Sequence, residues 1–237
     1  MRCLRPAYTR KMNETVHSSR RTTPAKKALT SSGRTNDPAR TMAEILQVAT
    51  TEFADKGLSG ARIDEIAATT RTSKRMIYYY FGSKKGLYVA VLEDAYRRIR
   101  AIEAELHLAD LTPEDALRKL VAFTVDYQWR NPDFVRLVMN ENIHRGEFLA
   151  QSKSIQGLNI PAIQEVERVY QRGVEQGVFR PGLDPIDLHQ SISALSFFNV
   201  SNRHTFALIF KRDLDHPDAV QARRDSIVDM VLRFVRR

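Results

Sequence analysis

One cysteine, Cys3, is all that the 237 residues contain. That excludes an internal disulfide framework and a cysteine-based zinc site. No apolar run reaches the roughly 18 residues a spanning helix requires, and the first residues lack the apolar stretch of a secretory signal. A cytoplasmic location is the expectation. P-loop, Gly-x-Ser-x-Gly and His-Glu-x-x-His patterns are also missing, so no enzyme centre can be named, and no cofactor or metal site is indicated. Alternating strand patterns and internal repeats are absent too, and the expected fold is all-α.

What is present is charge, unevenly placed. The formal net charge is +9. Residues 1–40 hold ten Lys/Arg against Glu14 and Asp37, whereas the remainder holds 27 basic and 26 acidic residues. The body of the chain is close to neutral, and the basic character sits in its leading segment. Residues 1–37, rich in Arg, Lys, Ser and Thr, cannot bury enough apolar surface to offset the entropy of ordering, and disorder is expected there. Two readings stay open for them: a basic arm on DNA backbone or minor groove, or an upstream extension of the reading frame, with Met12 as a later start.

Helical signals follow. Asp37 before Pro38 is an N-cap with proline at the first helical position. Ile45, Ala49 and Phe53 recur every four residues, and Gly57 ends that helix. A second helix is expected over 62–69 with Ile63, Ile66 and Ala67 inward. A third is capped by Ser73, and a fourth is capped by Ser83 and reaches His107. Thr112-Pro113-Glu114-Asp115 opens a fifth to Arg130, and Asn131-Pro132 a sixth to Asn142. A long seventh spans Pro161–Gly177. Asp184-Pro185 opens an eighth to Phe210, and Pro217 a ninth. The domain division falls inside the fourth helix, giving 38–90 and 91–237.

The stretch Ile63–Phe81, followed by Gly82-Ser83-Lys84-Lys85, carries the functional signal. Two short helices joined by a tight turn let the second enter the major groove of double-stranded DNA while the first braces it. Ile77 and Phe81 face inward, with Met76 and Tyr80 flanking. Lys74, Arg75, Tyr78 and Tyr79 face outward. Lysine and arginine donate to guanine edges or phosphates, and tyrosine hydroxyls to phosphates. Lys84 and Lys85 lie in the first turn of the next helix, where backbone N–H groups already favour an anion. A solvated basic face beside an aromatic cluster is the plainer alternative, but three consecutive tyrosines cannot all point inward on one helix.

Ile66, Ala67, Ser73, Ile77, Tyr78, Tyr80, Phe81, Ser83, Lys84 and Leu87 match a known pattern. Through them residues 41–100 resemble the N-terminal domain of the TetR/AcrR family. The resemblance implies an N-terminal three-helix helix-turn-helix domain followed by a C-terminal helical ligand-binding and dimerisation bundle. It implies that Tyr78, Tyr80 and Lys84 touch phosphates, that Lys74, Arg75 and Tyr79 face bases, and that Thr72 and Ser73 lie at the helix entry. Three positions depart from the pattern: Arg71 replaces the turn glycine, Thr72 a valine and Ala61 a capping threonine. Arg71 then needs a positive φ, and it can add a phosphate contact.

Function follows as an expectation: a sequence-specific transcriptional regulator, a repressor released by a small-molecule effector of unknown identity. The alternative is a sequence-tolerant DNA-organising protein relying on its basic tail. The resemblance implies a homodimer on a palindromic operator through the last two helices. Leu188, Ile192 and Leu195, with Ile227, Met230, Val231 and Phe234, could form that interface or be plain intrachain core. Phe123, Tyr127, Met139, Asn142, His144, Phe197 and Asn199 are the candidate pocket, mixing aromatic walls with polar groups, although such residues are also ordinary core. Glu141 and His144, at i and i+3, read as a surface or loop pair.

Overall fold

Asp37 starts the fold as its neighbours suggest: its carboxylate accepts from the N–H groups of Ala39 and Arg40 at 3.0 and 3.2 Å. The computed structural model describes residues 37–237, so the readings of an arm or extension before Asp37 lie outside the described residues. The first helix, α1 (Pro38–Gly60), is kinked at Gly57, whose φ is 65°. Glycine adopts that conformation without the penalty a side chain would add. α2 (Ile63–Thr69), α3 (Lys74–Phe81) and α4 (Lys84–Ala104) follow. Ile45, Ala49 and Phe53 of α1, Ile63 and Ile66 of α2, Ile77 of α3 and Leu87, Tyr88 and Val91 of α4 share one apolar core.

That core also takes in Leu137, Phe148 and Ile155 from further along the chain. α5 (Pro113–Arg130) is capped by Thr112, whose hydroxyl accepts from Asp115 N–H at 3.2 Å. α6 (Pro132–Ile143) lies along α1 and is bonded to it. Asn140 donates to Phe53 O at 3.1 Å, Thr51 donates to Asp133 at 3.1 Å, and Arg136 pairs with Asp55. Buried Glu141 accepts from the N–H groups of Phe148 and Leu149 at 2.8 and 2.7 Å, so it organises the turn after α6. The fully buried Tyr88 is held well above the usual phenol range, first by burial and then by Glu141. α7 (Ile155–Glu175), α8 (Pro185–Ser201) and α10 (Pro217–Val235) complete the bundle with α5 around a second core, to which α9 (Arg203–Phe210) contributes no buried residue.

Three helix bounds differ from expectation. α4 stops at Ala104 rather than His107, because His107 turns left-handed at φ 48° and a 3-10 turn follows at Leu108–Asp110. α7 begins at Ile155, leaving Pro161 inside it. The Ser152 hydroxyl accepts from the N–H groups of Ser154 and Ile155, both at 3.2 Å, and so secures a first turn that Pro161 could not. The expected eighth helix is two helices. Asn202, with φ −109° and ψ 5°, leaves the helical region between α8 and α9, and its amide donates to the Ser201 hydroxyl at 2.8 Å. No helix of the described residues is long and apolar enough to cross a membrane.

Leu188, Ile192, Ile227 and Val231 belong to the second intrachain core, so most of the stripe considered for a dimer interface is buried within one chain. Met230 and Phe234 of α10 and Phe198 of α8 remain exposed.

Candidate nucleic-acid interface

The short helix α3 is set by local chemistry. Ser73 Oγ accepts from Met76 N–H at 3.2 Å, and Ile77 has no exposed surface. One fully buried side chain on an eight-residue helix leaves the opposite face to solvent. Lys74, Arg75, Tyr78 and Tyr79 lie on that face. Tyr79 is 78% exposed and Tyr78 43%. Tyr80 is half-buried, packed against the first core and edge-on to Tyr79 and Phe81, with ring centroids 5.4 and 6.3 Å away.

The turn between α2 and α3 contains Arg71 at φ 52°, the conformation expected where glycine is usual. Thr72 N–H returns to Ala67 O at 3.0 Å. The N-cap of α2 is Arg62, not Ala61 as the resemblance implied, and it makes no side-chain cap. A carboxylate from α1 serves instead, as Glu52 accepts from Arg62 N–H at 2.9 Å. Burial alone would raise the Glu52 carboxyl, but the bond from Lys56 and the Arg62 N–H outweigh it and hold the group below its ordinary value.

α4 enters through a second constrained turn. Gly82 has φ 73° and ends α3, and Ser83 Oγ accepts from Gly86 N–H at 3.0 Å. Gly86 cannot be larger: a Cβ there would fall 2.1 Å from Phe81 O. Lys84 donates to Ser59 O at 3.2 Å, which fixes its stem between the ends of α1 and α4.

One feature of this face is not legible from motif spacing. Lys74 forms an ion pair with Asp64 of α2, and Arg62 lies 4.0 Å from the same carboxylate. Both side chains of the Lys74–Asp64 pair are about half exposed, so the pair is weak and exchangeable. Arg75 makes no ion pair among the described residues, whereas Lys74 is held by Asp64.

The seven pocket candidates do not converge. Phe123 and Tyr127 line an open groove of about 650 Å³ beside α5 and α10. Asn199 lines a different cavity. Met139 and Asn142 are exposed on α6. His144 sits edge-on to Phe148 at 5.5 Å, with Nδ1 2.7 Å from Asn140 O. Phe197 is half-buried and lines neither of these spaces. The Glu141–His144 pair is likewise divided, Glu141 being committed to backbone N–H groups.

Comparison with known proteins meets this geometry twice. Residues 45–91 match the model of bacterial regulatory proteins, tetR family, and residues 113–231 match the tetracyclin repressor-like C-terminal domain. The HTH-type transcriptional repressor NicS of Pseudomonas putida is 36% identical over 204 residues, covering 86% of this chain and 96% of NicS. The HTH-type transcriptional repressor SCO4008 of Streptomyces coelicolor is 37% identical over 112 residues, 46% of this chain and 54% of that protein. A bacterial regulatory protein in the tetR family from Rhodococcus RHA1 superposes with a TM-score of 0.65 at 21% identity, covering 83% of this chain and 97% of its own, a likeness of fold.

Proposed function

The chain belongs to the tetR family of bacterial regulatory proteins and is a DNA-binding transcriptional regulator, and we propose that it represses transcription by reading a palindromic operator with α3. The observation that carries this is the outward face of α3: Arg75, Tyr79 and the exchangeable Lys74 on a helix pinned by Ile77, flanked by Tyr78 and Lys84. Arg75, Lys74 and Tyr79 contact base edges. Tyr78, Tyr80, Lys84, Thr72 and Ser73 fix the register on phosphates, and Arg71 adds one more such contact. Tyr80, half-buried, offers only its hydroxyl end.

Residues 38–90 form the reading domain and residues 91–237 the effector and dimerisation domain. One helix of eight residues reads only a few base pairs, so a symmetric pair of chains restores selectivity. The exposed apolar groups of α10, Met230 and Phe234, with the outer side of α8, supply the dimer contact. A small molecule held among the helices of the second domain favours a spacing of the two α3 helices that no longer fits adjacent grooves. The bonded contact of α6 with α1 carries that change. The name of the repressor NicS, matched over 86% of this chain, favours this reading over sequence-tolerant DNA organisation.

Selection of DNA fragments by the purified protein tests the reading. Arg75→Ala and Tyr79→Ala are expected to select altered or degenerate sites. Tyr78→Phe and Lys84→Ala are expected to weaken binding to all sequences alike, with Lys84→Ala reducing the salt slope by about one. Unchanged site selection by Arg75→Ala and Tyr79→Ala would reject α3 as the reader.

A further inference from the structure

A second cavity, of about 310 Å³, lies between α5, α8, α9 and α10. Its walls are apolar and largely aromatic: Val125 and Trp129 from α5, Phe198 from α8, Phe206 from α9 and Val220 from α10. Phe198 and Phe206 meet edge to face at 5.9 Å. The guanidinium of Arg203 lies 5.5 Å from the centre of the Trp129 ring, so the cation sits over an indole at the cavity wall.

Arg203 is where the site is incomplete. Its side chain is only 19% exposed, and Nε is buried with no hydrogen-bond partner. Its one anionic contact is Nη1 with Asp215 at 3.1 Å, on a carboxylate that is itself mostly exposed. Arg223, also on the wall, has its Nε tied to the neutral Asn199 amide oxygen at 2.9 Å. Of these two arginines, only Arg203 pairs with a carboxylate among the described residues. The Arg203 guanidinium, a cation beside an apolar space with one mostly exposed carboxylate partner among the described residues, leaves room for a further acceptor, and an anionic oxygen answers the excess charge. The covering helix α9 has no fully buried residue.

We propose that this cavity is a ligand site, separate from the groove at Phe123 and Tyr127, for a compact aromatic molecule carrying one anionic oxygen. The rings of Trp129, Phe198 and Phe206 hold its apolar body, and the Arg203 guanidinium donates to its oxygen. The volume is at the lower end of small-molecule pockets, which restricts the body to a compact ring system.

Trp129 is the sole tryptophan of the chain, so its signal reports this cavity alone. The full-length protein, labelled with 5-fluorotryptophan, is titrated with 2-naphthoate and with uncharged naphthalene-2-carboxamide while the single fluorine resonance is followed. A saturable shift is expected with 2-naphthoate, at least about tenfold weaker with the carboxamide and in Arg203→Met, which keeps the apolar stem and removes the donors. Ala219→Phe, which fills the cavity, is expected to abolish the shift. It also keeps the test open should Arg203→Met fail to fold. Equal affinity for both probes, unaltered affinity in Arg203→Met or a persistent shift in Ala219→Phe would overturn the proposal. So would a resonance that follows protein concentration and ignores naphthoate, which would mean that a second copy of the chain occupies the space.

Discussion

The side-chain amide of Asn140 in α6 donates to the backbone carbonyl of Phe53 in α1 at 3.1 Å. It lies between the reading helices and the bundle beyond them, and it is partly buried. The neighbouring Arg136–Asp55 ion pair crosses the same contact with both side chains more than a third exposed. Solvent screens the second interaction and not the first. Asn140→Ala is therefore expected to cost about 1 kcal/mol of unfolding free energy, and Arg136→Ala less. Urea denaturation of the two variants decides the order. If Arg136→Ala is the more damaging, the exposed pair is what holds α6 to α1.

Asp64 restrains the DNA face. It pairs with Lys74, and on the proposed mode of binding it places a negative charge beside the DNA phosphates. Asp64→Asn is expected to tighten operator binding several-fold at low salt, with a smaller effect at high salt because the repulsion it removes is screened. Lys74→Ala in the Asp64→Asn background should lose more affinity than in the wild type. Binding measured across a salt series for the four proteins gives the coupling between the two residues. Additive effects would mean that the ion pair has no bearing on DNA.

The cap that Glu52 supplies to α2 gives the reading domain a pH dependence. Its carboxyl is lowered in the folded protein despite burial, so the folded state prefers the ionised form more than the unfolded state does. That stability is present above the unfolded carboxyl value, about 4.3, and is lost as pH falls through the lowered folded value. Glu52→Gln is expected to be less stable at neutral pH by about 1 kcal/mol and to show a shallower loss on acidification. Thermal unfolding from pH 7 down to pH 3 checks both parts. A variant that parallels the wild type throughout would show that the Arg62 N–H does not need the charge.

The helix pair was legible because its signals are local. Ser73 and Ser83 are caps, Ile77 repeats with the helix period, and glycine marks the bends at 57 and 82. The failures have equally local causes. Residues 195–210 contain neither proline nor glycine, and only the dihedral angles of Asn202 separate α8 from α9. Pro161 signals a helix start and also occurs inside one, so chain chemistry could not choose, whereas the Ser152 hydroxyl does. Pocket residues were legible by type and not by place. Trp129 and Phe206 line one cavity from two helices far apart in sequence, and no spacing rule connects them. Asp64 and Lys74 meet because a turn folds α3 back across α2, a relation that neither helix period contains.

Arg71 combines strain with charge. Its φ of 52° puts a side chain where the left-handed conformation costs about 1 kcal/mol relative to glycine. Arg71→Gly relieves that strain, although glycine also frees the unfolded chain and takes back part of the gain. The same substitution removes a cation from the entry to α3. The expected result is a protein unchanged or more stable by up to about 1 kcal/mol, which nonetheless binds its operator more weakly and with a salt slope reduced by about one. Arg71→Ala, which keeps the strain and loses the charge, should match Arg71→Gly in DNA binding and fall below it in stability. Measuring unfolding and operator binding on both variants separates the two roles. Full operator affinity in Arg71→Gly would leave the arginine without a phosphate contact, and its positive φ without a functional return.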